Sequence, residues 1–263
     1  MNSTIDTLLA SLLETPQDAE AHALATRYAP ILRFDNREPF YPIAVGYTIF
    51  RQSAPSPSFR QSHKIDLSPA EPPSDQSPEQ RDAQSRNRNP EQSWARSPDR
   101  SPAFAIEYAI WWDWDIGHLY ELEHVWVFVN ASGEVVRCEA SWHGDYHDMC
   151  HEGRLNCQDT HVILYSEPGK HAFAPTPDWF KERAEHFKRS ETQDLAGCSG
   201  VLSTPYTEDR VTVTPLKNRL VHTYLAHHAF EPSWNFSQPF EFTSEMLIPW
   251  EALRNWIPSR VND

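Results

Sequence analysis

The sequence predicts a mainly β protein, an antiparallel β-sandwich with short peripheral α-helices. Several segments rich in branched and aromatic residues follow one another in hairpin order, separated by turn residues such as those at 130–133. Helix-like patterns are few and short, and they lie near the two ends of the chain and at one internal position. A succession of strands with few helices is typical of two packed antiparallel sheets.

The predicted helices lie at the N-terminus, near 177–189 and at the C-terminus. Residues 3–15 and 17–28 place apolar side chains at helical spacing. Thr176 is suited to cap the internal helix, and Pro177 suits its first position. The terminal TSEMLIPWEALRNWIP stretch predicts a last short helix.

The predicted strands follow from runs of branched and aromatic residues. In chain order they cover residues 31–35, 43–50, 103–115, about 122–130, 134–142, 160–167, 210–215 and 219–225. Residues 58–67 are a candidate for one more short strand. Alternation in the third strand places Glu107, Asp113 and Asp115 on one face.

A polar segment follows the second strand. Residues 53–102 contain 9 of the 22 prolines, 11 serines, seven Lys or Arg and seven Asp or Glu. Such a composition buries too little apolar surface to offset chain entropy. We therefore predict one β-sandwich domain over residues 1–263, with a disordered Ser/Pro-rich insert at 68–102.

The net charge of −14 falls entirely on the rest of the chain, because the polar segment is neutral. An acidic surface argues against nucleic-acid and anionic-membrane partners, and it is compatible with cations. No apolar run is long enough for a transmembrane helix. Asp6 occupies a position where a signal peptide carries positive charge, which predicts a cytoplasmic protein. Its four cysteines are then expected to be free thiols.

Acidic and imidazole side chains are concentrated in the DWDIGHLYELEH segment, which contains Asp113, Asp115, His118, Glu121 and Glu123. Two adjacent strands present these carboxylates to one pocket, where they repel one another unless they are protonated or neutralised. A divalent cation is the simplest neutraliser: Mg²⁺, Mn²⁺ or Ca²⁺ suits the oxygen ligands best, with Zn²⁺ or Fe²⁺ as alternatives. The competing interpretation is a solvated acidic hairpin without a ligand, but bulky tryptophans surround the charges and favour a pocket.

Histidines downstream add candidates to this pocket. His143 directly follows a predicted strand and is expected to reach the acidic residues as a ligand or as a general acid or base. His147 and His171 form a second tier of pocket candidates. A GxSxG elbow, a P-loop, HExxH and GxGxxG are all missing from the sequence.

Four segments resemble a known superfamily. GHLYELEHVWVFV (117–129) resembles the Gly-His-Arg-His-Asp-Trp-Glu-His-Val region of the necrosis-and-ethylene-inducing-peptide-like proteins, and EASWHGDY (139–146) resembles their Ser-x-His-Gly-Gly-Tyr stretch. RYAPILRFDNREPFYP (27–42) and GKHAFAP (169–175) are similar to segments of the related vacuolar-protein-sorting-sixty-two-like domains.

The resemblance implies a β-sandwich with a divalent-metal site at one end. Glu121 stands where the family motif has Asp, and Tyr120 stands where it has a second His. The implied site residues are, in chain order, Asp113 or Asp115, His118, Glu121, Glu123 and His143. The cytolytic members of the family are secreted and act at membrane sphingolipid head groups, which the predicted cytoplasmic location does not match.

Three functions follow as hypotheses. The first is a divalent-metal-dependent hydrolase of a small polar substrate, with Glu121, Glu123 or His143 moving protons. The alternative is a non-catalytic binding protein that uses the metal to hold a glycan or a phosphorylated head group. The third is a structural protein whose acidic pocket holds an adventitious ion.

Overall fold

Two mixed β-sheets pack against each other and carry a few short helices, which confirms the predicted β-sandwich. The structure is a computed structural model that describes residues 3–59, 63–68, 101–181, 196–204, 207 and 210–262. The main apolar core draws residues from both sheets, including Leu32 and Leu164 from one sheet and Val45, Ile110 and Val127 from the other.

The larger sheet has the order β14-β2-β5-β6-β7-β8, and β12 pairs with β6 beside this path. Its long central strands are β5 and β6, which pair antiparallel along almost their whole length. Its strands are β2 (Ala44–Phe50), β5 (Pro102–Trp114), β6 (His118–Asn130), β7 (Val135–Trp142), β8 (Asp145–Asp148), β12 (Gly200–Val201) and β14 (Leu247–Pro249).

The smaller sheet has the order β11-β10-β1-β13, with β9 paired to β10. Its strands are β1 (Ile31–Phe34), β9 (Cys157–Gln158), β10 (His161–Ser166), β11 (Phe173–Ala174) and β13 (Gln238–Glu241). A separate two-stranded ladder joins β3 (Ala54–Pro55) to β4 (Lys64–Ile65).

Both sheets are mixed, whereas the sequence predicts antiparallel pairing throughout. The pairs β1–β10, β2–β14 and β6–β12 are parallel. Parallel partners need long crossovers between them, and these three pairs join segments that are far apart in the chain. The hairpin order that the sequence predicts holds for β5, β6 and β7, and β8 continues it with a strand that the sequence does not predict.

The helices are α1 (Ser3–Leu13), α2 (Ala19–Tyr28), α3 (Asp178–Lys181), α4 (Pro215–His227) and α5 (Trp250–Asn262). The two N-terminal helices and the C-terminal helix confirm the prediction. The internal helix predicted near 177–189 begins at Asp178, and residues 182–195 lie outside the described residues.

The strands predicted at 210–215 and 219–225 are wrong: residues 210–214 form a turn and irregular chain, and the helix α4 begins at Pro215 and covers 219–225. Thr214 is its N-cap, with the hydroxyl accepting from Lys217 N at 3.1 Å, and Pro215 stands at the first helical turn. These start signals outweigh the β-like composition that follows them.

The predicted insert at 68–102 overlaps the structured chain at its end, because Pro102 begins β5. The further strand expected within 58–67 is present as β4. Residues 69–100 of the predicted insert lie outside the described residues.

The four cysteines, Cys138, Cys150, Cys157 and Cys198, are free thiols, as predicted. Among the described residues, no helix is both long and apolar enough to cross a membrane.

Candidate functional site

The candidate site lies where the β5–β6 connection meets the loop between β10 and β11. Asp115 and His118 close the β5–β6 turn through two backbone hydrogen bonds of 3.1 and 3.3 Å. Ile116 N donates to Gly169 O at 2.8 Å and joins this turn to the loop of the other sheet. The site therefore receives side chains from both sheets.

Three potential metal ligands converge at this turn. One ligand atom from each of Asp115, His118 and Glu121 lies within 4.8 Å of the other two. His118 Nε2 is 3.5 Å from Asp115 Oδ1 and 3.7 Å from Glu121 Oε2. Two ligands bound at about 2.5 Å to one ion and at right angles are about 3.5 Å apart, so this spacing suits a cation such as Ca²⁺.

His118 is fixed in the orientation that a metal ligand needs. Its Nδ1–H donates to Tyr120 O at 2.8 Å. Nε2 therefore faces the two carboxylates, and it is the ring nitrogen left to bind an ion held between them. Metal-binding histidines commonly donate their other ring N–H to a backbone carbonyl in this way.

Asp115 is fully buried, and its two oxygens have different surroundings. Oδ1 accepts from Gly117 N and from Lys170 Nζ, each at 2.6 Å. Oδ2 accepts no hydrogen bond from the described residues. Burial opposes ionisation of Asp115, but the positive charges of His118, Lys170 and His171 lower its pKa below the usual range.

Glu123 lies behind these ligands and is buried. Its Oε2 accepts from Ser141 Oγ, and Ser141 Oγ in turn accepts from His124 N at 2.6 Å. Burial, followed by the charges of Glu121, Glu167 and Asp115, raises the pKa of Glu123 well above its usual value. A buried carboxyl among other carboxylates retains its proton unless a cation offsets the repulsion.

Glu167 completes the acidic cluster from the other sheet, and sequence analysis missed it. It follows β10 directly and is 1% exposed, and its Oε2 lies 2.6 Å from His143 Nε2. Burial raises the pKa of Glu167, while its contact with His143 acts in the opposite direction. His143 thus reaches the acidic cluster, as the sequence predicts, but its partner is Glu167.

Lys170 is the second residue that sequence analysis missed. Burial acts to lower the pKa of its ammonium, but the carboxylate of Asp115, helped by Glu121 and Glu167, outweighs burial and raises it. The GKHAF segment contains Lys170 next to His171, and nothing in this local pattern distinguishes the lysine from an ordinary surface residue.

His171 follows Lys170 in the same loop, and its side chain is completely buried. Its ring stacks on Trp112, with a centroid distance of 4.7 Å and an angle of 8° between planes. Its Nε2 lies 3.5 Å from Glu38 Oε1, and Glu38 Oε2 accepts from Gly169 N at 2.7 Å. His171 and Glu38 therefore support the loop that carries Lys170.

Three non-glycine residues around the cluster have left-handed backbone conformations. They are Tyr120, with φ of 59°, His143, with φ of 49°, and His171, with φ of 65°. Such conformations cost about 1–3 kcal/mol each and are concentrated at functional sites. Three of the six such residues in the described chain belong to the segments that carry or contact these carboxylates, which favours a functional interpretation of the cluster.

Two residues predicted for the pocket lie elsewhere. Asp113 accepts from Arg260 Nε at 3.0 Å and from Trp111 Nε1 at 3.1 Å, so its carboxylate is occupied outside the cluster. His147 is exposed on β8, and its ring centroid lies 5.7 Å from that of Trp179.

An aromatic surface adjoins the acidic cluster at His143. Trp142 packs against His143 at 5.1 Å and against Trp179 at 5.9 Å, and it stacks on Phe180 at 6.0 Å. Trp142 and Trp179 are partly exposed. His143 therefore lies between the two indoles on one side and Glu167 on the other. This aromatic surface adjoins the carboxylates of the cluster.

The residues present fit a divalent cation. Asp115, His118 and Glu121 supply two carboxylates and one oriented imidazole, the donor set that oxygen-preferring cations accept. The buried Asp115 Oδ2, without a donor among the described residues, leaves further capacity for a positive charge. Among the residues that the structure describes, Lys170 competes with such an ion for Asp115.

Comparison with known proteins gives structural similarity alone. No family model matches the sequence, and no curated protein sequence does either. Necrosis and ethylene inducing protein 2, from the causal agent of cocoa's witches' broom disease, has 20% identity and a TM-score of 0.32, with 61% of this chain and 69% of that chain covered.

NLPPya in complex with mannosamine has 22% identity and a TM-score of 0.33, with 62% of this chain and 70% of that chain covered. NLPPya in complex with glucosamine has 19% identity and a TM-score of 0.32, with 61% and 69% covered. These solved structures come from the necrosis-inducing family that the sequence motifs resemble.

Proposed function

We propose that this protein binds a divalent cation at Asp115, His118 and Glu121 and uses it to hold a small glycan-type ligand, without catalysis. The observation that carries the proposal is the convergence of one ligand atom from each residue within 4.8 Å. Mg²⁺, Mn²⁺ and Ca²⁺ remain the favoured ions because two of the three ligands are carboxylates.

The charge balance of the site supports a positively charged occupant. Asp115, Glu121, Glu123 and Glu167 contribute four carboxyl groups, and the basic groups described beside them are the Lys170 ammonium and the imidazoles of His118 and His143. A divalent cation offsets this excess, and so does the amino group of a ligand.

The aromatic surface favours a glycan over a phosphorylated head group. Sugar rings present apolar C–H faces that pack on indole rings, and their hydroxyl groups donate to carboxylates. Trp142 and Trp179 lie next to His143, and Glu167 lies directly beyond it. A phosphate group would instead face several carboxylates and would depend entirely on the bound cation.

Amino sugars are the natural first probes. Their ammonium group suits the acidic cluster, and their ring suits the indoles. NLPPya has been crystallised with glucosamine and mannosamine, and the same two compounds are suitable here.

Calorimetric titration tests the cation site first. Wild-type protein, stripped with chelator, is titrated with Ca²⁺, Mg²⁺ and Mn²⁺, and His118→Ala and Glu121→Gln are expected to weaken binding by about tenfold or more. His147→Ala is the matched control, because it removes an exposed histidine of the same region. No binding of any of the three ions at millimolar concentration would contradict the proposal.

The ligand is tested on the metal-loaded protein. Glucosamine and mannosamine are titrated with and without the ion, and Trp179→Ala is expected to weaken sugar binding while leaving ion binding unchanged. Equal sugar binding by wild type and Trp179→Ala would exclude the aromatic surface from the ligand site.

A metal-dependent hydrolase is the second candidate. Its supporting observation is Glu123, a buried carboxyl with a raised pKa, which is the state of a general acid. Glu121 and His143 are the other proton carriers that the sequence predicts. Turnover of generic phosphoesters, esters or glycosides by the metal-loaded protein, abolished in Glu123→Gln, would favour this candidate over a binding protein.

A further inference from the structure

The ammonium of Lys170 occupies a position beside Asp115, one of the three proposed ligands of the ion. Its Nζ contacts Asp115 Oδ1 at 2.6 Å, and the same oxygen faces His118 Nε2 at 3.5 Å. A Ca²⁺–oxygen bond has about the same length as this ammonium–oxygen contact. Asp115 Oδ1 already accepts from Gly117 N and from Lys170 Nζ, so an ion that binds this oxygen has to replace the side-chain donor, Lys170.

The backbone of the loop fixes the base of Lys170. Lys170 N and His171 N both donate to Glu167 O, at 3.1 and 2.9 Å. Gly169 has φ of 70°, and a Cβ there would lie 3.1 Å from the side chain of Ile116. This close approach requires glycine, and it brings the next residue against Asp115.

The tip of Lys170 retains a route to solvent. Its side chain is 21% exposed, whereas that of Asp115 is completely buried. A flexible four-carbon chain with an exposed edge can rotate outward while its backbone stays in place. Displacement of the ammonium therefore does not require the loop to open.

We propose that Lys170 is an internal counter-ion, which neutralises the carboxylate cluster in the metal-free protein and must be displaced when a divalent cation binds. This inference rests on the proposed cation site and adds a regulatory residue to it. The ammonium lowers the apparent affinity for the ion, and it stabilises the protein while the ion is absent.

Lys170→Met tests the inference, because methionine keeps much of the chain length and removes the charge. The variant is expected to bind Ca²⁺ or Mn²⁺ about tenfold more tightly than wild type. Without metal its Tm is expected to fall, since the carboxylates lose their counter-ion, and added Ca²⁺ is expected to restore it. Lys64→Met, which removes an exposed lysine of β4, is the matched control and should change neither property.

Two failures are distinguishable. Equal ion affinity of wild type and Lys170→Met overturns the competition while leaving the proposed cation site in place. If wild type, Lys170→Met and Lys64→Met all fail to bind the ion, both the cation site and the competition are overturned. If Lys170→Met does not fold without metal, Lys170→Gln is purified with Ca²⁺, and its affinity is measured by competition with a chelator against the same expectation.

Discussion

His143 Nε2 lies 2.6 Å from Glu167 Oε2, and this contact joins the end of β7 to the end of β10. Glu167 is almost completely buried, whereas His143 is 37% exposed. The pair therefore brings a solvent-facing imidazole into contact with a buried carboxylate. It is a direct side-chain link between the two sheets at the candidate site.

A double-mutant cycle measures this link. His143→Ala is expected to destabilise wild type, because it leaves the buried Glu167 without its partner, and to cost less in the Glu167→Gln background. We expect a coupling free energy of about 1 kcal/mol from urea unfolding, since the exposed imidazole is partly screened by solvent. His147→Ala in both backgrounds is the control, and a coupling as large as that of His143→Ala would contradict a specific pair.

Glu107 holds the segment around β3 and β4 on the larger sheet. Its carboxylate accepts from Ser56 Oγ, Ser58 Oγ and Trp126 Nε1, the last at 2.7 Å. Glu107→Leu leaves three buried donors without an acceptor, and we expect a loss of roughly 3 kcal/mol in the free energy of unfolding.

Glu107→Gln keeps the size and one acceptor oxygen, so it should lose less stability than Glu107→Leu in the same urea titration. Limited proteolysis gives a second measurement, because residues 54–59 and 63–65 should be cleaved faster in Glu107→Leu. Equal stability of the two variants would show that these hydrogen bonds do not hold the segment.

Acid lability is expected from His63. Its ring lies between Trp126 and Tyr146, at centroid distances of 4.1 and 4.0 Å. Burial, and secondarily the charge of Arg137, lowers the pKa of His63 from 6.5 to about 4. The ring is therefore neutral at pH 7, and its approach of 3.6 Å to Glu139 Oε2 is not an ion pair at that pH.

The sign of the effect follows from proton uptake. Between pH 6.5 and about 4 the unfolded chain binds a proton at His63 that the folded protein does not bind. Stability is therefore complete above pH 6.5 and falls as the pH decreases, by up to about 3 kcal/mol at this position. His124, whose pKa burial lowers to about 3, adds to the loss in the same direction.

His63→Phe keeps an aromatic ring between the same neighbours and removes the titration. Chemical unfolding at several pH values should show a smaller loss between pH 6.5 and pH 4 in this variant than in wild type. His147→Phe, at an exposed position on β8, should retain the wild-type slope. A His63→Phe slope equal to that of wild type would assign the acid lability to other groups.

The part of the site that sequence analysis predicts is local in the chain. Asp115, His118 and Glu121 lie within seven residues on one hairpin, so their proximity follows from short-range geometry. Glu167 and Lys170 join them only because the smaller sheet packs at this end, and nothing in the local pattern of either segment specifies that packing.

Asp113 shows the limit of strand periodicity. Alternation along a strand places Asp113 and Asp115 on one face, but β5 ends at Trp114. Asp115 therefore belongs to the turn, where alternation no longer applies, and the two carboxylates have different partners. The strand predicted at 103–115 is present, and a boundary displaced by one residue is enough to separate the two carboxylates.

Gly197 supports the β5–β6 turn from behind. Its N donates to Ile116 O at 2.8 Å, and Ser199 N donates to Gly117 O at 3.0 Å. With φ of 70°, Gly197 packs so tightly on α4 that a Cβ would lie 2.5 Å from His222 Cα. The obstructing atom is helix backbone, which cannot rotate away.

Gly197→Ala is therefore expected to destabilise the protein by about 3 kcal/mol, through backbone strain and steric overlap together. It should also weaken ion binding, because the turn that presents Asp115 and His118 loses its support. Gly153→Ala is the matched control: its φ is 77°, but nothing lies within 4 Å of the added Cβ. The control variant should lose only about 1 kcal/mol in the free energy of unfolding, from backbone strain alone, and its ion affinity should be unchanged. Equal losses in urea unfolding would mean that α4 yields to the added methyl group, and the turn would then not depend on this contact.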